Sequence, residues 1–484
     1  MNRGLSVSRW RGTVVSWIGR SPDQVVVALS AIGLVIRVVW VVFAHRGAAV
    51  GDPTEYVYYG LRLSQGEGYD SHPAIFTPWP EVPTAFYAIG YPLFLAALFT
   101  LARPFGFDND ARVEEFSAEA AERVYSDAAW IYGFAHAIIG ALTIYLVARI
   151  ARRLLGPRVA VFAALVVAVW PNLVMLTATA HLETLYLFLV VSAVVVLLPT
   201  LELDVPIRYR RLVAGGAILG LAAQVRPLVA LIVPGLLLAY RFRPQSWRRA
   251  IGHAGLVAVT IVGVLLPWTI RNAVVMPDFV LVTTGSGDAA CMSRYVGATG
   301  HFELFSPGCL NEYPDVPWDV AEVVKNKENT YRARQFILEH PTEEIRLWFW
   351  RGFWAFEGDH DARFALEYRS PETGDWVNPI WTDRGRSLAD RLADTYWWGV
   401  IGLAIIGWSR LRQSASRGGV WLVYAGAFAG FVVPIMLFGD SRYKTPMHPF
   451  LAVIAAAGLA RIFDRARADL PAQSVPVVVA TETR

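Results

Sequence analysis

A multi-span α-helical membrane protein is the fold class this sequence predicts, and three observations carry the prediction. Hydrophobic residues make up 55% of the chain and charged residues only 17%, a balance poorly suited to a fold with a water-facing surface all round. Several apolar runs approach the roughly 20 residues needed to cross about 30 Å of hydrocarbon. The arginine clusters fall at alternate junctions between those runs, as retention of Lys and Arg on the cytoplasmic side requires.

Taken in order, ten spans are expected, over 24–45, 129–150, 157–177, 180–199, 211–225, 227–240, 249–270, 393–410, 419–438 and 445–463. The first run is too long for the core of a signal peptide and lacks a small-residue cleavage site after it, so it reads as a retained anchor. The fifth and sixth are short and read as a helical hairpin turning at Arg226-Pro227. Arg3, Arg9, Arg11 and Arg20 precede the first span. Arg149-Arg152-Arg153-Arg158, Arg208-Arg210-Arg211, Arg241-Arg243-Arg248-Arg249, Arg410-Arg412-Arg417 and Arg461-Arg465-Arg467 follow. With ten spans all of these lie on one side, both termini are cytoplasmic, and the protein is a multi-pass plasma-membrane protein. The net charge of +4 then reflects topology and offers no case for nucleic acid.

The same rule decides Phe86 to Leu101, which is apolar enough to span. Counting it would invert every later basic loop, so it reads as a juxtamembrane or re-entrant helix. The expected organisation is a cytoplasmic segment 1–23, a transmembrane domain 24–463 and a disordered cytoplasmic tail 464–484. Within the domain lie two large outer loops, 46–128 and 271–392, and loops of that length are uncommon unless they carry function. In the second, Val320 to Leu338 reads as a helix ended by His340-Pro341. The aromatic run Leu347 to Phe356 reads as an interfacial helix in preference to a packed loop core. The only cysteines, Cys291 and Cys309, share this loop, where an oxidising compartment permits a disulfide; two free thiols are the alternative.

Ionisable residues in spans are costly and so point to a site or a partner. Asp52 stands at the mouth of the first span, in Gly51-Asp52-Pro53-Thr54-Glu55-Tyr56. Arg37 lies too deep in that span to snorkel and should meet a carboxylate or a phosphate. His181 and Glu183 open the fourth span, Arg226 sits at the hairpin turn, and Arg271 is where the seventh span exits. Arg442, Tyr443 and Lys444 precede the last, beside Asp440. Any one of these could be an interface anchor, but acids and cations converging from six spans suggest a lined cavity. A carboxylate can take the proton of an attacking hydroxyl while Arg or Lys neutralises a departing phosphate.

Four segments resemble the extracytoplasmic glycosyltransferases of the GT-C superfold, specifically the family-39-like enzymes that include lipid A aminoarabinose transferase and the protein O-mannosyltransferases. The first is Gly51-Asp52 to Tyr56 with Gly66-Glu67-Gly68-Tyr69 and Gly90-Tyr91-Pro92-Leu93, similar to the family's acidic loop and "PGYP" turn. The others are Glu183, then Pro267-Trp268-Thr269-Ile270-Arg271-Asn272, and Ser441-Arg442-Tyr443-Lys444-Thr445-Pro446, the last similar to an "RYRLP" span entrance. The resemblance implies a polyprenyl-phosphate-linked sugar donor, an acceptor reached from outside the membrane, and an inverting transfer with Asp52 as the acid–base residue. It departs from the pattern at Ile89, where the family has Pro, and at Tyr87-Ala88, where Arg-Pro is usual. Glu55, Tyr56, His181, Glu183, Arg226 and Tyr443 are expected around the substrates, with Arg37, Arg271, Arg442 and Lys444 sharing the donor phosphate.

A lipid or polysaccharide transporter or flippase would also have ten spans. It should place polar residues near the midplane on broken helices of repeated halves, and no internal repeat is present. A non-catalytic assembly protein would need the outer loops but not the acid–cation set. The acceptor could be a glycolipid, wall polysaccharide or protein, and several sugars suit the same phosphate clamp. No cofactor is expected: Asp52, Glu55 and His72 form no recognised metal signature.

Overall fold

The computed structural model describes residues 21–44, 51–70, 82–107, 118–243, 246–303, 305–311, 316–360, 368–369, 376–377, 383–414 and 416–468. His72, the N-terminal arginines up to Arg20 and the tail beyond 468 lie outside the described residues. The protein is an α-helical membrane protein. Its helices are α1 Pro22–Ala44, α2 Asp52–Gln65, α3 Gly90–Ala102, α4 Ala118–Leu155, α5 Pro157–Ala168, α6 Pro171–Met175, α7 Glu183–Leu197 and α8 Tyr209–Val225. There follow α9 Ile232–Arg241, α10 Trp247–Val275, α11 Ser286–Cys291, α12 Trp318–Glu339, α13 Pro341–Phe356, α14 Asp383–Leu411, α15 Arg417–Met436 and α16 His448–Ala468. Tyr368–Arg369 (β1) and Trp376–Val377 (β2) form a two-stranded antiparallel pair.

Each of the ten expected segments is helical. Among the described residues, six helices are long and apolar enough to cross a membrane: Pro22–Ala44, Val124–Leu155, Glu183–Leu201, Trp247–Val275, Arg417–Met436 and Ser441–Arg465. A seventh candidate, Pro157–Ala168 with Pro171–Ala178, is bent by 59°. Pro171 causes the break, because it has no N–H to offer the Val167 carbonyl one turn back. The hairpin turns at Arg226 into the 3₁₀ segment Pro227–Leu231. At 13 residues α3 is about 20 Å long, too short to cross, and it packs on α2 where Gly60 lets Leu95 and Phe99 approach.

The core runs the length of the bundle and centres on α16, whose Leu451 to Ala457 are all buried. Helices α14 and α16 cross at Gly407 and Gly458, where a Cβ on either would strike the Ile454 or Leu403 carbonyl of the other. Close backbone approach of this kind is how helices associate where lipid removes the hydrophobic drive. The outward faces carry exposed apolar side chains such as Val35, Val39, Val42 and Phe43 on α1.

One end of the bundle collects the basic clusters. Arg152 pairs with Asp23, Arg153 with Glu202, and Arg158 and Arg410 both with Asp464. At the opposite end lie the C-terminus of α1, the N-terminus of α7, the C-terminus of α8 and the entry to α16. The loop domain of α11 to α13 sits over the 435–439 turn: Arg351 donates to the Ile435 carbonyl (3.3 Å), Arg294 to that of Met436 (2.7 Å) and Ser293 to that of Leu437 (3.0 Å). Glu344 is the buried counter-charge of Arg351 (2.7 Å) and Arg294 (2.9 Å). Cys291 and Cys309 are joined in a disulfide with Cα atoms 5.3 Å apart. Helix α13 buries Leu347, Arg351 and Ala355 while Trp348, Phe349, Trp350 and Phe353 stay exposed.

Candidate active site

Asp52 is placed by local backbone chemistry. Gly51 has φ 91°, a conformation glycine adopts without strain, and Pro53 occupies the first turn of α2 where its missing N–H is not needed. The turn therefore starts a helix whose N-terminus carries Asp52 and Glu55, the favoured charge there. Asp52 accepts from the Tyr87 hydroxyl at Oδ1 (2.8 Å) and from Arg442 Nη1 at Oδ2 (2.8 Å).

Arg442 comes from the far end of the chain, on the 3₁₀ turn Ser441–Met447 whose N-cap, Asp440, accepts from the Arg442 amide (2.8 Å). Its Nε donates to Glu183 Oε1 at 2.6 Å. Arg226 reaches the same oxygen at 3.3 Å and lies over the Tyr443 ring at 4.4 Å. Two carboxylates and two guanidiniums from α2, α7, the α8 end and the α16 entry thus form one network. Exposure grades across it: Asp52 keeps 38% of its side chain open, Arg442 18% and Glu183 1%. Asp52 faces the opening and Glu183 is the floor.

Burial pushes the Asp52 carboxyl up, but Arg442, His181 and the Tyr87 hydrogen bond together hold it below its ordinary 3.8. Burial and then the Asp52 charge push the Tyr87 hydroxyl well above 10, so it remains a donor. His181 is buried with no protein partner at Nδ1, and burial followed by the Arg442 charge pushes it down to about 4, leaving a neutral imidazole. Tyr56 packs edge-on against Tyr87 (5.0 Å) and Tyr91 (5.2 Å), and the Tyr91 hydroxyl meets His136 at 3.2 Å. Glu55 is buried in the same first turn as Asp52.

Three expected phosphate ligands are placed elsewhere, which corrects their grouping. Among the described residues Arg37 pairs with no carboxylate: it donates to the carbonyls of Gly33 (3.1 Å), Ala168 (3.2 Å) and Val167 (3.2 Å). It thereby satisfies the carbonyls orphaned at the Pro171 break, and Gly140 leaves it room. Arg271 donates to the carbonyls of Thr84 (2.6 Å) and Tyr69 (2.8 Å), fastening the strand-like turn that carries Tyr87. Lys444 turns inward, 3.3 Å from Asp359, with the Ala355 carbonyl at 2.9 Å. A depth-in-span argument could not separate these from Arg442, because it counts charge and not the carbonyls competing for it.

Sequence reasoning passed over Tyr87 as a site residue, and Asp359 and Glu322 altogether. Tyr87 carried a signal, since it stands at the departure from the family's Arg-Pro. Glu322 on α12 accepts from Thr84 (2.6 Å), the Ala85 amide (3.0 Å) and Thr284 (2.5 Å), joining both loops behind the site. Among the described residues no three His, Cys, Asp or Glu side chains converge as metal ligands. A cavity of about 270 Å³ in the loop domain, lined by Arg294, Gln335 and His340, contains none of the network.

A family model described as dolichyl-phosphate-mannose-protein mannosyltransferase matches residues 115–270. That stretch holds His181, Glu183 and Arg226 but neither Asp52 nor Arg442. Sequence comparison with curated proteins gives no match. Among solved structures, the archaeal oligosaccharyltransferase AglB from Archaeoglobus fulgidus, in complex with an inhibitory peptide and a dolichol-phosphate, aligns with a TM-score of 0.50 and 16% identity, covering 93% of this chain and 52% of that one. The oligosaccharyltransferase of the same organism in its apo form gives a TM-score of 0.52 and 16% identity over 94% and 52%. ArnT from Cupriavidus metallidurans bound to undecaprenyl phosphate gives a TM-score of 0.42 and 17% identity over 91% and 79%. This chain spans about half the length of the oligosaccharyltransferases it resembles.

Proposed function

We infer that this chain, which has the GT-C fold, is a membrane glycosyltransferase that moves a sugar from a polyprenyl-phosphate donor to an acceptor hydroxyl with inversion. The observation that carries the reading is the Asp52–Arg442 pair at the opening, a carboxylate and a guanidinium held side by side with Glu183 and Arg226 beneath. A dolichol-phosphate accompanies the archaeal enzyme of like fold, and the same headgroup chemistry suits Arg442 and Arg226 here.

In the reaction the acceptor oxygen attacks the anomeric carbon, its proton passes to an Asp52 oxygen, and the bond from that carbon to the phosphate oxygen breaks. The bonding electrons leave with the phosphate, and Arg442 and Arg226 meet the charge that develops. A single displacement inverts the anomeric centre. Tyr87 fixes the Asp52 rotamer, and neutral His181 is a hydrogen-bond partner for sugar hydroxyls. The positive-inside pattern supports placing this end outside the plasma membrane, since the paired arginines gather at the other. Glycolipid, wall polysaccharide and protein acceptors all offer the required hydroxyl.

The test is transfer by purified protein in nanodiscs, supplied with polyprenyl-phosphate-linked mannose, arabinofuranose, aminoarabinose, galactose or glucose. Release of polyprenyl phosphate that depends on acceptor, and is lost in Asp52→Asn, is the expected result. Movement of labelled lipid across sealed vesicles without any cleavage would instead establish a flippase.

A further inference from the structure

We propose that Arg442 keeps the catalytic base masked until the donor phosphate arrives, so that donor binding itself frees Asp52 and the acceptor is engaged second. The inference rests on the glycosyltransferase reading above and deepens it. Asp52 has two oxygens, and the structure occupies them unequally. Oδ1 accepts from Tyr87, a neutral donor three residues after Thr84, whose carbonyl Arg271 holds. Oδ2 accepts from Arg442 Nη1 at 2.8 Å. Each oxygen keeps a second lone pair that an acceptor hydroxyl can reach, but the carboxylate takes the proton well only when Nη1 has left Oδ2.

Arg442 is built to leave. It is anchored through Nε to Glu183 at 2.6 Å, and Glu183 is sealed at 1% exposure, so the guanidinium has a fixed pivot on its buried side. Nη1 points to the part-open side, where Asp52 is 38% exposed. The donor phosphodiester entering there offers two non-bridging oxygens that share one charge, a pair a guanidinium can bind in parallel, against one oxygen from Asp52. Arg226 holds the same Glu183 oxygen and keeps the floor paired while Arg442 turns. With Nη1 gone, Tyr87 still fixes Asp52, and the carboxylate loses the neighbour that depresses its basicity. The other charged or titratable groups facing the pair are Glu183, Arg226, His181, Asp440, Tyr56 and Tyr443.

The proposal predicts a sign that simple site loss does not. If Asp52 competes with phosphate for Arg442, Asp52→Asn should tighten binding of undecaprenyl phosphate, by roughly tenfold. Plain repulsion between Asp52 and phosphate also gives tightening, so the decisive arm is a double-mutant cycle. In an Arg442→Gln background the gain from Asp52→Asn should vanish if competition is the cause, and persist if repulsion is. Should Arg442→Gln misfold because it strands Glu183, the Arg442→Gln/Glu183→Gln pair restores neutrality and serves as the background. Binding is read by microscale thermophoresis on full-length protein in nanodiscs. Equal tightening in both backgrounds, or none in either, overturns the masking role while leaving the glycosyltransferase reading standing. Failure of wild type and every variant to bind the lipid phosphate overturns both.

Discussion

Arg442 and Lys444 stand two residues apart on one 3₁₀ turn, yet one lines an opening and the other is sealed in the bundle. With about three residues per turn, positions two apart point to different sides, so the turn aims one cation at Asp52 and the other inward. Lys444 is fully buried, paired with Asp359, bonded to the Ala355 and Gly358 carbonyls and set 4.6 Å over the Trp397 ring. Asp359 is itself saturated by Trp170 (2.7 Å), Asn172 (3.1 Å) and His448 (3.3 Å). Both clusters keep unpartnered buried atoms, Glu183 Oε2 and His181 Nδ1 in one and His448 Nδ1 in the other, so the difference is exposure: Asp52 is part-exposed and Asp359 is sealed. Charge at membrane depth therefore marks an ion pair in both places, and a candidate site only where the pair opens to the outside.

The largest expected effect tests that distinction at the open cluster. Asp52→Asn should lower turnover by about 10²–10⁴ with the melting temperature in detergent nearly unchanged. Near-normal turnover would remove Asp52 as the base and with it the contrast between the clusters.

At the sealed cluster the effect should fall on stability. Lys444→Met leaves Asp359 charged and buried, a cost of about 3–5 kcal/mol, read as a lower melting temperature and a smaller folded yield. Adding Asp359→Leu should recover much of that loss, because the stranded charge goes with it. If the surviving Lys444→Met protein binds lipid phosphate as poorly as Arg442→Gln, the two clusters are one site.

A covalent counterpart lies in the loop domain that holds the 435–439 turn. Replacing Cys291 and Cys309 by Ser should destabilise that domain by about 3 kcal/mol if loop-closure entropy dominates. Intact mass before and after reduction and alkylation checks the bridge first, and alkylation of both thiols without reduction would disprove it.

The smallest expected effects are the pH responses of two buried carboxyls. Burial pushes Asp359 up, but His448 and Lys444 outweigh it and hold the carboxyl below 3.8. Its contribution is present above 3.8 and is lost as pH falls through the folded value. Glu322 is the reverse: burial keeps it above 4.5 despite three hydrogen bonds. Its contribution is whole below 4.5 and declines as pH rises through the folded value. Stability curves of Asp359→Asn and Glu322→Gln against wild type should therefore diverge with opposite slopes. Parallel curves for the two would mean that burial and partners do not set the two carboxyls in opposite directions.

The helical membrane class was legible because a 20-residue apolar run has one stable use, and the arginine clusters order the ends; among the described residues six helices, or seven with the bent pair, are long and apolar enough to cross. Glu183, Arg226 and Arg442 were legible as a group from their common end of the bundle. Tyr87 was not, since a tyrosine in an apolar loop has many roles and only its 2.8 Å contact with Asp52 distinguishes one. Arg37 and Lys444 were misgrouped for a related reason: a cation in a span needs a partner, and the partner can be a broken helix or a distant aspartate.

By itself the sequence determined that this chain is a helical membrane protein, and it set Asp52, Glu183, Arg226 and Arg442 at one end of the bundle. Both follow from local chemistry: apolar length and charge retention. Only the tertiary structure decided which cation meets Asp52. Arg442 lies 390 positions away, and its choice between Asp52 and an inward path depends on the rotation of one 3₁₀ turn. The loop-domain contacts at Ile435, Met436 and Leu437 hold the segment that leads into that turn. Asp440 caps the turn locally, but where the turn sits also depends on groups from α13 and the 293–294 segment.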